Sequence, residues 1–99
     1  MKDIEFYDVT GYEVVNTYIL RVFFDDNTEQ IIDFEPILLG PLFGSLRDLT
    51  LFRQVKLNRE IGTLVWPNGV DIDPLVLHDW PEHAGAIIKR RQEQFAVAS

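Results

Sequence analysis

The sequence predicts an α+β domain: a small, mostly antiparallel sheet with short helices on one face and a C-terminal helix. Three observations carry that prediction. Two β-rich runs flank an acidic turn in "YILRVFFDDNTEQIIDF". The hydrophobic period then changes in "ILLGPLFGSLRDLTLFRQV", broken by Gly and Pro. The chain closes on the amphipathic stretch "DWPEHAGAIIKRRQEQF". With 99 residues, 46% hydrophobic and 25% charged, it has the size and composition of one folded unit. Residues 1–80 form the α+β core, and residues 81–99 a helix of the same domain.

In chain order, Ile4–Val9 and Glu13–Val15 read as extended, with Gly11 as a turn between them. Tyr18–Phe24 and Thr28–Phe34 then form a hairpin whose loop length follows from parity. A two-residue loop would set Leu20 against Asp33. A three-residue loop, Asp25 to Asn27, pairs Leu20 with Ile32 and gathers Tyr18, Leu20, Val22, Phe24, Ile32 and Phe34 on one face. That register requires a left-handed Asn27 and puts Arg21 opposite Ile31, within reach of Glu29 and Asp33. Pro36 stops the strand; a loop or single turn through Ile37–Leu39 and one or two short helices within Phe43–Arg53 follow, because Gly40, Pro41 and Gly44 forbid one long helix. "QVKLN" and "GTLVW" make a second hairpin around Arg59–Gly62.

The stretch "LVWPNGVDIDP" has two readings. Asp71 and Asp73 share one side of an extended strand, and with Asn68 they loosely suggest a calcium loop. That pattern needs a Gly at its sixth position and a Glu at its twelfth, and neither falls in place. A turn explains more: Pro67 fixes the first corner, Asn68 and Gly69 tolerate unusual dihedrals, Trp66 points inwards, and Asp73 caps a short helix begun by Pro74. Asp79 is predicted to cap the last helix, with Glu82 three residues on. In that helix Ala84, Ile87, Ile88 and Phe95 form a thin apolar stripe that docks on its own domain or on another chain.

Composition excludes several functions. No cysteine means no disulfide, thiolate nucleophile or Cys-based metal cluster. The N-terminus is unlike a signal peptide and no apolar run spans a bilayer, so a cytoplasmic protein without a membrane contact is expected. A net charge of −7 disfavours nucleic acid, for which only Lys89-Arg90-Arg91 offers a basic cluster. His78 and His83 are off the spacing that puts two metal ligands on one helical turn. "GPLFGS" lacks the Lys-Ser/Thr of a phosphate loop, and no Ser sits in a nucleophile elbow. No catalytic residue, cofactor or metal is assigned.

The residues from Tyr18 to His78 resemble a bacterial family, domain of unknown function 2442. The resemblance rests on the acidic hairpin turn, the "LRD" segment with Phe52 behind it, and "GTLVWPNGVDIDP". Carried over by position are Leu46, Arg47, Asp48, Phe52, Gly62, Trp66, Pro67, Asn68, Gly69, Asp71 and Pro74. Asp26-Asn27 stands where relatives often have Asp-Gly, and Asp48-Leu49 where many have Asp-Pro. Some relatives carry a helix-turn-helix in the tail, and this tail is too short for one. The resemblance implies a small α+β protein that acts as a non-enzymatic interaction or regulatory module, antitoxin-like in some arrangements, with another small protein or itself as partner.

Arg47, Asp48, Trp66, Asn68, Gly69, Asp71, Asp73 and His78 are therefore the candidate signature residues. Asp71 is the one that neither cap nor turn demands; it is expected to bind turn amides or Arg47. Ile87, Ile88, Arg90, Arg91 and Phe95 are the candidate partner-binding residues, and the hairpin edge is an equal candidate. The alternatives are a small-molecule or metal-binding domain using Asp71, Asp73 and His78, and a DNA-associated regulator working through Lys89–Arg91.

Overall fold

A computed structural model describes residues 7–95, and in it the first hairpin takes the register that parity requires. Strand β2 (Ile19–Phe24) pairs antiparallel with β3 (Glu29–Asp33), Leu20 lies opposite Ile32, and Phe34 N–H donates to the Tyr18 carbonyl at 2.9 Å. The loop has three residues, closed by Phe24 N–H on Thr28 O at 3.0 Å, with Asn27 at φ 69°. Leu20, Val22, Phe24, Ile32 and Phe34 are buried together as a result. Arg21 lies opposite Ile31 and reaches Glu29, but its closer partner is Glu13 on the neighbouring strand, not Asp33.

That neighbour is β1 (Val9–Asn16), antiparallel to β2, which gives the order β1-β2-β3. Gly11 does not turn the chain. An irregularity in the pairing between Val9 and Gly11 absorbs the extra residue, so one strand runs where a turn and a shorter strand were expected. Most of the predicted strand Ile4–Val9 is not strand or lies outside the described residues; Val9 alone of it belongs to β1.

After Phe34 the chain makes a 3-10 turn at Glu35–Ile37, a second at Phe43–Arg47, and the short helix α1 (Leu49–Phe52). Strands β4 (Lys56–Asn58) and β5 (Thr63–Val65) form the second hairpin as a separate two-stranded sheet, where a single sheet was expected. The two sheets are tied by Val9 N–H on Gly62 O at 2.9 Å and Tyr12 OH on Val55 O at 2.8 Å. Helix α2 (Pro74–His78) leads directly into α3 (Trp80–Phe95).

Four aromatic rings hold the layers together. Phe34, from the end of the first hairpin, lies 5.9 Å from Phe52, 5.8 Å from Trp66 and 5.9 Å from Trp80, centroid to centroid. Each comes from a different part of the chain, and each buried ring of this size contributes about 1.5–3 kcal/mol by leaving water. Ala84, Ile87 and Ile88 are half-buried against this core, so that part of the apolar stripe of α3 docks on its own domain. The side chain of Phe95 lies outside the described residues.

Candidate functional site

The Trp66–Val70 turn repeats the geometry of the first hairpin. Gly69 N–H donates to Trp66 O and Trp66 N–H to Val70 O, both at 2.9 Å, and Gly69 takes φ 87° where the first loop uses Asn27. Both are three-residue loops closed by a left-handed residue. Asn68 itself keeps ordinary dihedrals and works through its side chain. Its carboxamide oxygen accepts from Val70 N–H at 3.2 Å, and its amide donates to Leu42 O at 3.1 Å and Ser45 Oγ at 2.9 Å. Trp66 Nε1 donates to the Phe52 carbonyl at 2.9 Å. The signature is thus a clasp that fastens the irregular 42–52 segment to the second hairpin.

Other signature residues have equally local tasks. Asp48 caps α1 by accepting from Thr50 N–H at 3.0 Å, and Asp73 caps α2 by accepting from Leu75 N–H at 2.8 Å. Arg47 does not meet Asp71: its Nε donates to Leu38 O at 2.9 Å, while its own carbonyl accepts from Tyr18 OH. The turn amide expected on Asp71 is taken by Asn68 instead. The Asp71 backbone bridges to Val65, but its exposed carboxylate makes no hydrogen bond or ion pair among the described residues.

His78 sits in a different place, at the tip of the first hairpin. Its Nε2 lies 2.8 Å from Asp26 Oδ2 and its Nδ1 2.8 Å from Asp79 Oδ1. The ring stacks on Tyr7 at 3.6 Å and meets the Phe24 ring edge-on at 5.0 Å; its side chain is 15% exposed. Asp79 therefore spends its carboxylate on His78 and not on the amide of Glu82, which bonds the Asp79 carbonyl at 2.9 Å. Nothing in the sequence spacing pairs Asp26 with His78; the acidic turn marked one end of the contact and a lone histidine the other.

Only an imidazolium donates to both carboxylates at once, so the geometry favours the charged ring. Burial works against that charge, but hydrogen bonds to Asp79 and then Asp26 outweigh it and raise the His78 pKa above 6.5. Asp26 is held below 3.8 by hydrogen bonds from Thr28 and then His78. A raised histidine pKa adds stability that is full below 6.5 and lost as pH climbs through the folded value. The lowered aspartate adds stability that is full above 3.8 and lost as pH falls through its own folded value. Between those limits the clamp is strongest. Urea titrations at several pH values should show the gap between wild type and His78→Gln shrinking as pH rises above neutrality; a gap that widens would contradict the charged clamp.

Asp73 caps a helix, His78 joins the hairpin tip and Asp71 joins neither, and no three His, Asp or Glu side chains converge to hold a metal among the described residues. Asp71 meets a different set. It lines a groove of 550 Å³ with Phe43 from the second 3-10 turn and with His83, Ile87, Arg90 and Arg91 on one face of α3. Arg91 lays its guanidinium carbon 4.1 Å over the Phe43 ring, and its buried Nε has no hydrogen-bond partner. The exposed Lys89 does not line this groove, so the basic trio is divided between two faces of the helix.

A family model described as "Protein of unknown function (DUF2442)" matches residues 10–83, about three quarters of the chain. The chain belongs to this family. No curated protein and no solved structure matches it. The DUF2442 region takes in both hairpins, the clasp and the Asp26–His78 contact, and ends in the first turn of α3. The groove therefore has one wall inside the family region, at Asp71, and its arginine wall beyond it.

Proposed function

We propose that this DUF2442 chain is a non-enzymatic protein-interaction module that binds a basic partner across the outer face of its first sheet. The observation that carries this reading is the face itself. The register aligns Glu13, Arg21 and Ile31 in one row and Phe23 and Glu29 in the next, with Ile19 beside Asp33. Ile31 is 56% exposed and Val15 47%. The described contacts of the helices with this sheet involve residues of the opposite face: Tyr18 to Phe52, Phe24 and Gln30 to His78. One antiparallel sheet face turned to water is ordinary, and apolar residues within an acidic rim suit it to docking.

Charge selects the occupant. Glu13 and Glu29 pair with Arg21, and Asp33, opposite Ile19, adds a third carboxylate to this face, in a chain of net charge −7. A second copy would bring the same excess of carboxylates, whereas a basic protein would neutralise it. A partner-neutralising, antitoxin-like role is the specific form of this reading, in the reducing cytoplasm that a cysteine-free chain suits. His78 has no free ring nitrogen to act as a general base, because carboxylates hold both.

The test is capture from an extract of the cells that make the protein, with wild type, Ile31→Arg and Arg91→Gln as baits. The reading expects one small basic protein in near-equimolar amount on wild type and Arg91→Gln, absent from Ile31→Arg. Equal retention by Ile31→Arg, or no stoichiometric partner on any bait, would overturn it.

A further inference from the structure

We propose that the groove between α3 and the Asp71–Val76 segment binds a small zwitterion with an apolar body, an amino acid or a dipeptide, with its carboxylate on Arg90 and Arg91 and its ammonium on Asp71. The site is independent of the sheet face proposed above. Its volume, 550 Å³, falls within the roughly 300–1,000 Å³ usual for small-molecule sites.

Three features are otherwise unspent. The first is the arginine pair. Acids outnumber Lys and Arg by 16 to 9, yet neither Arg90 nor Arg91 has an ion pair among the described residues. Arg91 is already fixed on the Phe43 ring, so little side-chain freedom is lost when its planar fork takes a carboxylate. Its buried Nε lacks an acceptor, and burial together with the neighbouring Arg90 charge opposes its ionisation; a bound anion would relieve both.

The second feature is Asp71, the signature residue whose side chain makes no hydrogen bond or ion pair among the described residues. Asp71 lines the same groove. A plain anion would be repelled by it and a plain cation by the two arginines. A molecule carrying both charges meets complementary groups on each wall. The third is the lining between them, where Ile72, Val76, Ala86 and Ile87 offer apolar surface for a hydrophobic side chain.

The experiment is an amide NMR titration of the full chain with L-leucine and with the dipeptide Leu-Leu. Isocaproate (leucine without its ammonium) and isoamylamine (leucine without its carboxylate) serve as half-ligands. Saturable shifts are expected for a zwitterion at residues 71–76 and 83–94, with each half-ligand weaker by about tenfold or more, the equivalent of about 1.4 kcal/mol per tenfold. Whichever zwitterion binds more tightly sets the spacing between the two charges. Arg91→Gln should weaken the zwitterion and isocaproate but spare isoamylamine; Asp71→Asn should weaken the zwitterion and isoamylamine but spare isocaproate. Arg90→Gln repeats the first test without disturbing the Phe43 stack. Half-ligands that bind as tightly as the zwitterions would overturn the proposal, as would the absence of saturable shifts at millimolar concentration.

Discussion

Replacing Trp66 with alanine should cost about 3–5 kcal/mol of folding stability, the range for emptying a large aromatic site in a core. Domains of this size are stable by only about 5–15 kcal/mol, so the variant should lose a large share of its stability. Trp66 is 2% exposed and its ring lies 5.8 Å from both Phe34 and Phe52. Trp66→Phe separates packing from hydrogen bonding. It keeps an aromatic ring but removes the Nε1 donor from the Phe52 carbonyl, which still accepts Val55 N–H at 3.3 Å, an expected loss of about 0.5–1.5 kcal/mol for one hydrogen bond. Urea denaturation followed by far-ultraviolet circular dichroism measures both. A Trp66→Ala variant within 1 kcal/mol of wild type would contradict the packing described here.

Gly62→Ala should be the second costly change, although it adds one methyl group. Gly62 sits at φ 75°, and a Cβ there would lie 2.4 Å from Asp8 Oδ1 and 2.9 Å from its Cγ. Backbone strain of this kind costs about 1–3 kcal/mol before the clash is counted. The same residue accepts Val9 N–H, one of two bonds that tie the sheets together among the described residues, so it cannot shift freely. Pairing the substitution with Asp8→Ala divides the effect. The double variant should recover the clash and keep the backbone strain, about 1–3 kcal/mol. Full recovery in the double variant would mean that the left-handed backbone carries no cost.

The first hairpin was legible because parity has one solution: only a three-residue loop keeps Leu20 and Ile32 on a common face, and Asn27 is the residue that tolerates the required φ. The cap at Asp73 was legible because a cap is a local contact, whereas the equally local cap at Asp48 was not read, and the one expected at Asp79 is lost because His78 takes its carboxylate. Contacts between distant residues were not. Asn68 reaches Leu42 and Ser45, and Asp26 reaches His78 across 52 positions. No spacing rule pairs such residues, because tertiary packing alone brings them together. Gly11 misled because a glycine in a β-rich stretch signals a turn or a bulge equally well. Asp71 was singled out as the residue without a structural reason, but its neighbours in the groove, 19 and 20 positions on, could not be read from the chain.

The division of labour inside the signature is the central claim: Trp66, Asn68, Gly69 and Asp73 build the fold, and Asp71 does not. Equilibrium urea denaturation of Asp71→Ala beside Asp73→Ala tests it most directly. Asp73→Ala should lose about 1 kcal/mol with its cap. Asp71→Ala should stay within about 0.5 kcal/mol of wild type, as a surface carboxylate without partners does. An Asp71→Ala loss equal to or greater than that of Asp73→Ala would contradict the claim and return Asp71 to the scaffold.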